Sequence, residues 1–201
     1  MKILLINGSP KEKGNTFYCL DEIRAELERN GLEGEILWLG KKAVEDCTGC
    51  GACRASGRCA FDDAVNRVNE RAGGFAGIVA GSPIYYGGPN GRICSFLDRL
   101  FYSSAGKWKG KIGASVVVCR RGGATAGFER LNNYFLMNDM IMPGSQYWNL
   151  AHGGAPGEIL EDAEGMQTMR TLAKNIAWTA GALADRPLPA YEKTVYTNFI
   201  R

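Results

Sequence analysis

The chain has 201 residues and a net charge of +3, from 24 Lys and Arg against 21 Asp and Glu. Apolar residues at 45% and charged residues at 22% exclude disorder, and so weak a positive balance excludes nucleic acid as a partner. No run approaches the ~18 apolar residues of a membrane span, and Met1–Gly8 is too poor in apolar residues for a signal peptide, so a cytoplasmic protein without membrane contact is expected.

Hydrophobic periodicity alternates strand and helix along the chain. Lys2–Ile6 is a continuous apolar run suited to a strand buried on both faces. Thr16–Asn30 predicts a helix with Leu20, Ile23 and Leu27 inward, stopped at Asn30-Gly31. Glu35–Leu39 predicts a second strand, and Asp62-Asp63 can cap a helix running to about Ala72. Gly77–Gly81 predicts the third strand and Asn90–Ser103 a helix with Ile93, Phe96, Leu97, Leu100 and Phe101 on one face. Ile112–Cys119 is the fourth strand and Gly127–Met137 a helix. Met140–Tyr147 is expected as the fifth strand, although Pro143 and Gly144 interrupt it. The last helix, Glu158–Leu183, keeps the helical period from Leu160 to Ala180, with acids in its first turns as the helix dipole favours. Residues 1–184 therefore form one domain with a Cys-rich insert at 46–60. Residues 185–201 are a tail carrying Tyr191, Val195, Tyr196, Phe199 and Ile200, an apolar-aromatic end suited to packing on a partner subunit.

Five strands alternating with helices imply a doubly wound α/β domain, a mostly parallel sheet with helices on both faces. Ligands of such sheets sit beyond the carboxyl ends of the strands. The loop after strand 1, Asn7–Thr16, feeds a helix start, whose free N–H groups suit a phosphate, and an ordinary capped βα turn would look similar. It is neither a Walker loop nor G-x-G-x-x-G. After strand 3, Gly81-Ser82-Pro83-Ile84-Tyr85-Tyr86-Gly87-Gly88 sets two aromatics beside accessible backbone, as a flat heterocycle requires. The alternative is a surface turn whose tyrosines cover the core. After strand 4, Arg120-Arg121-Gly122-Gly123 offers two cations and a Gly pair to an anionic or polar edge, and it also reads as a solvated basic turn.

Together, Gly8-Ser9-Pro10…Gly14-Asn15-Thr16 and Gly81–Gly87 resemble the NADPH-dependent FMN reductases of the flavodoxin-like superfamily. That resemblance covers most of residues 1–183 and implies the strand order 2-1-3-4-5. It places Ser9, Asn15 and Thr16 on the FMN phosphate, with Lys11 also among the cofactor-binding residues. Pro83, Ile84, Tyr85, Tyr86 and Gly87 would flank the isoalloxazine ring, and Gly122 and Gly123, beside Arg121, would close the far side. Arg120-Arg121 departs from the more usual Thr/Gly-rich third loop. The implied activity is reduction of bound FMN by NAD(P)H, followed by reduction of a quinone, azo compound, flavin or similar small acceptor. The family also implies a homodimer or homotetramer. A non-enzymatic flavin-binding protein is the plainer alternative.

The insert reads Cys47-x2-Cys50-x2-Cys53-x5-Cys59. Two-residue gaps let thiolates converge, and four of them are what a [4Fe–4S] cluster takes. Structural zinc takes four as well, more often as two separate pairs, and disulfides are disfavoured in a cytosolic chain. The motif resembles that of the iron–sulfur flavoproteins, which implies single-electron exchange with FMN and a ferredoxin-like donor. Flavodoxin-like reductases without a cluster carry similar loops. Cys19, Cys94 and Cys119 fall in helix or strand and read as small core residues. His152, the sole histidine, reads as a loop residue without a catalytic partner, and no hydrolase pattern is present.

Overall fold

β1 (Lys2–Asn7) alternates its side chains between two layers. Leu4 and Ile6 face one hydrophobic cluster, Ile3 and Leu5 the other, as the two-residue period of a strand dictates. The computed structural model describes residues 1–197 and 199. Its other strands are β2 (Glu33–Trp38), β3 (Gly77–Tyr85), the two-residue β4 (Gly88–Pro89), β5 (Ile112–Cys119) and β6 (Leu150–His152). The helices are α1 (Asn15–Arg29), α2 (Ala52–Ser56), α3 (Ala64–Glu70), α4 (Gly91–Tyr102), α5 (Ala124–Met137) and α6 (Ala163–Leu183).

Five strands run parallel in the order β2-β1-β3-β5-β6, which is the doubly wound order that the family resemblance implies. β4 adds a sixth strand absent from that reading, paired antiparallel to the end of β3. Leu20, Ile23 and Leu27 of α1 and Met169, Leu172 and Ile176 of α6 cover one face of the sheet. Phe96, Leu97 and Leu100 of α4, Val65 and Val68 of α3 and Leu131 and Phe135 of α5 cover the other.

The fifth parallel strand is not Met140–Tyr147. Ile141 makes a single bridge to Ile112, and Pro143, which has no N–H to donate, follows as the chain leaves the sheet. Pairing resumes at Leu150–His152 against Val117–Cys119. The last helix also begins later than its period suggested. Asp162 caps α6 by accepting from Gly165 N at 2.9 Å, so 158–161 form a 3₁₀ turn. That turn buries Ile159 and leaves Leu160 exposed.

Beyond α6 the tail has no regular element from 186 to 197. Leu188 covers Gly110 and Lys109 Nζ lies 3.5 Å from the Tyr191 ring centre, while Val195, Tyr196 and Phe199 stand exposed. Ile200 lies outside the described residues. Among the described residues no helix is long and apolar enough to cross a membrane.

Candidate functional site

β1 and β3 are in register, Asn7 opposite Gly81, so the loop after β1 starts beside the outer part of β3, Ser82–Tyr85. Gly8 N donates to Gly81 O at 2.9 Å. The buried Asn7 side chain accepts from Ser9 N (3.0 Å) and donates to Glu12 O (3.1 Å), which turns the chain toward α1. Trp38 Nε1 holds Ser9 O at 2.8 Å, and Ser9 Oγ accepts from Lys11 N at 3.1 Å. Gly14 caps α1 without a side-chain bond, so the helix start keeps backbone donors for an anion.

Next to it, β3 and β4 form a hairpin with Tyr85 opposite Gly88. Its two central residues, Tyr86 (φ 50°) and Gly87 (φ 78°), both have positive φ, the requirement of a type I′ turn. Gly123 (φ 84°) caps the start of α5 against this hairpin, and a Cβ there would come 3.0 Å from Gly87 Cα. Asn90 ties the hairpin to the first loop: Nδ2 donates to Gly8 O at 2.5 Å, and Oδ1 caps α4 through Ile93 N at 3.1 Å.

A cavity of about 330 Å³ lies between these loops. Ser9, Lys11, Asn15 and Thr16 line it from the first loop, Pro83, Ile84 and Tyr85 from the second, and Cys119 and Arg120 from the end of β5. Gly153, Gly154 and Pro156 also line it. The helix start, Lys11 and Arg120 give it a positive field. Burial pushes the Cys119 thiol up, which keeps it protonated at neutral pH. Loop 153–157 is clamped from both sides. Asn15 donates to Ala155 O (2.9 Å) and accepts from Gly157 N (2.8 Å). Glu158 Oε2 accepts from Gly154 N (2.6 Å) and Ala155 N (2.8 Å), bonds that hold its carboxyl below the usual carboxylate range.

Cys47, Cys50, Cys53 and Cys59 line a second cavity, of about 390 Å³, walled by Asp98, Arg99, Tyr102 and Ser103. Gly51 (φ 73°) and Gly57 (φ 64°) bracket α2, which carries Cys53. Arg58 pairs with Asp62 and Glu70, closing the insert onto α3. Among the described residues no three His, Cys, Asp or Glu side chains are grouped to hold a single metal ion.

The profile of a family described as NADPH-dependent FMN reductase matches residues 1–155. An iron–sulfur flavoprotein of Methanocaldococcus jannaschii is 32% identical over 185 residues, 88% of this chain and 96% of that protein. The chain belongs to the NADPH-dependent FMN reductase family, in its iron–sulfur flavoprotein branch. Among solved structures, RosB with a bound riboflavin-phosphate derivative superposes with a TM-score of 0.69 at 16% identity, covering 100% of this chain and 94% of RosB. An archaeal flavodoxin gives 0.60 at 16%, covering 90% and 99%. Those two likenesses concern the fold.

With the family established, the chain is a flavin-dependent oxidoreductase, and the first cavity is the place to test for FMN. The structure brings together seven residues that the sequence singled out: Ser9, Lys11, Asn15, Thr16, Pro83, Ile84 and Tyr85. Tyr86, Gly87, Arg121, Gly122 and Gly123 do not line the cavity, and Arg120 stands there in place of Arg121. Asn15 spends its side chain on the 155–157 clamp. In the sequence, 151–154 reads as a Gly-rich loop but is not assigned to the cavity, because the last strand is set upstream of it, at 140–147. Its Gly153-Gly154 pair, directly after an apolar stretch, was the available signal.

The donors fit FMN: a helix start, hydroxyls, two cations and an aromatic line the one cavity. Four thiols lining one cavity are also a donor set that a cluster would take. His152, expected in a loop, ends β6 with Nδ1 3.7 Å from Asp162 Oδ2, and Asp162 is already occupied in capping α6. Cys19 and Cys119 are buried, and Cys94 is half-buried.

Proposed function

We propose that this protein is an FMN-dependent electron-transfer oxidoreductase in which a [4Fe–4S] cluster on Cys47, Cys50, Cys53 and Cys59 exchanges single electrons with the flavin. The observation that carries this reading is the gathering of all four cysteines on one cavity. A relative named as an iron–sulfur flavoprotein, aligned over nearly its whole length, supports it. The start of α1, with Ser9, Thr16 and Lys11, would hold the FMN phosphate, and Arg120 would add charge beside it. Pro83, Ile84 and Tyr85 would orient the ring, with Tyr86 and Gly87 shaping the turn at its mouth. Gly122, Gly123 and Arg121 would back that turn. Bound FMN supplies the conversion between two-electron and one-electron chemistry. A ferredoxin-like protein would be the donor, and a quinone, azo compound or flavin the acceptor.

A second reading has NAD(P)H reducing the flavin directly. The exposed Tyr85 and Tyr86 beside the cavity favour it, because they leave room for a second planar ring to approach.

In either reading, the exposed tail residues would cover a second copy in a cytoplasmic homodimer or homotetramer.

Protein purified without oxygen and assayed for FMN, iron and acid-labile sulfide tests both readings. The first expects stoichiometric flavin with about four iron and four sulfide per chain. Flavin without iron overturns the cluster, and rapid bleaching by NADPH then selects the second reading. Failure to bind FMN overturns both.

A further inference from the structure

Arg99, on α4, is only 1% exposed, and its guanidinium crosses from the helix into the cysteine insert. Nε donates to Cys59 Sγ at 3.2 Å. Nη1 donates to Asp63 Oδ2 (2.7 Å) and Glu45 O (3.2 Å). Nη2 donates to Asp63 Oδ1 (2.9 Å) and Phe61 O (3.3 Å). A guanidinium has five N–H donors in a fixed fork, so each has one acceptor and none is spare. The Phe61 ring lies 4.8 Å from Cζ. The insert is thereby held on both sides of its cysteines, at Glu45 and at Cys59–Phe61, by one side chain that Asp63 fixes in plane.

The four cysteines are consequently not equivalent. Among the described residues, Cys59 is the one of the four whose sulfur receives a hydrogen bond, and the donor carries a full charge. Its backbone is fixed separately. Asn66 accepts from Cys59 N (2.9 Å) and donates to Cys59 O (3.1 Å) and Phe61 O (3.0 Å), without touching the sulfur. The two supports can therefore be removed one at a time.

We propose that Arg99 is a positioning residue that sets the reduction potential of the cysteine centre through its Nε–H···Sγ bond to Cys59. This rests on the cluster reading above. Reduction adds an electron to an already anionic thiolate-ligated centre, and a neighbouring cation with an N–H aimed at a ligand sulfur favours the more negative state. Asp63 offsets part of that charge but lies on the far side of the guanidinium, bonded to Nη1 and Nη2 and not to Nε.

The test is a redox titration of the anaerobically purified, iron-loaded protein, with the spectrum of its reduced form recorded by electron paramagnetic resonance. Wild type is compared with Arg99→Lys, Arg99→Gln and Asn66→Ala. The midpoint should become more negative in the order wild type, Arg99→Lys, Arg99→Gln. The last should move by about tenfold in the equilibrium constant, about 59 mV for a one-electron couple. Both arginine variants should change the spectrum. Asn66→Ala should lower the iron content and leave the midpoint of the loaded fraction unchanged. If Arg99→Gln does not retain iron, the difference between wild type and Arg99→Lys decides. Wild-type midpoint and spectrum in the loaded arginine variants overturn the proposal, as does an equal shift in Asn66→Ala. Wild-type protein with FMN and no iron overturns the cluster reading and this inference with it.

Discussion

Tyr86 occupies a backbone conformation that side chains with a Cβ rarely adopt. At φ 50° a bulky residue is a steric outlier, and such strain costs about 1–3 kcal/mol. Asn is far better suited to this position of a type I′ turn. Tyr86→Asn should therefore raise the melting temperature, by about 2–4 °C for each kcal/mol relieved in a chain of this size. If the ring supports the flavin, the same variant should weaken FMN binding roughly two- to tenfold, the range of one aromatic contact. Calorimetry and a fluorescence titration read the two effects separately. A stabilised variant with unchanged FMN affinity would show that the strain serves something else. Gly123→Ala should instead destabilise the fold. Its φ of 84° disfavours any side chain, and the new methyl would press on Gly87 at 3.0 Å. A loss of stability of about 1–2 kcal/mol, together with weaker FMN binding, is expected in a denaturant titration.

Loop 153–157 is an element held by side chains from outside it, and one of those holds is ionic. The Glu158 carboxylate sits on Gly154 N and Ala155 N and is kept below the ordinary carboxylate range by those bonds. Because its folded value is depressed, its contribution is complete above the unfolded value, about 4.3, and is lost as pH falls through the lower folded value. Hydrogen exchange at Gly154 and Ala155, corrected for intrinsic rates, should show protection falling in that acid window. Glu158→Gln should remove the pH dependence. Equal pH profiles in the two proteins would dissociate the loop from this carboxylate. The loop also marks where sequence reading reaches its end. β1, β3 and β5 are legible as continuous apolar runs because both of their faces are buried. α4 is legible because burial of one face writes a period of 3.6 into its residues. β6 is three residues long, too short for any period, and its place is set by pairing with Val117–Cys119. The cavity-lining glycines beside it were lost together with the strand. The Arg99 clamp was illegible for a related reason. Its acceptors lie 36 to 54 residues away in sequence, and a charged residue on an otherwise apolar helix face reads as an edge.

At the scale of the whole molecule, the sheet and its two layers leave one apolar segment without a place. Leu188 and Tyr191 rest on the 109–110 turn, but Val195, Tyr196 and Phe199 are almost wholly exposed. Each such side chain gains roughly 1.5–3 kcal/mol on full burial, so three of them lying across another subunit would decide whether an assembly persists at micromolar concentration. Deleting residues 192–201 removes these three and keeps both contacts of the tail with its own domain. The shortened protein should sediment as a smaller species than the full chain at equal concentration. Its melting temperature, extrapolated to dilute solution, should change little, because none of the described residues removed belongs to the core. FMN binding should also persist, since the described residues that line the cavity proposed for the flavin all lie between 9 and 156. An unchanged sedimentation coefficient would exclude the tail from any subunit contact. A collapse of stability at every dilution would mean instead that these residues support their own domain.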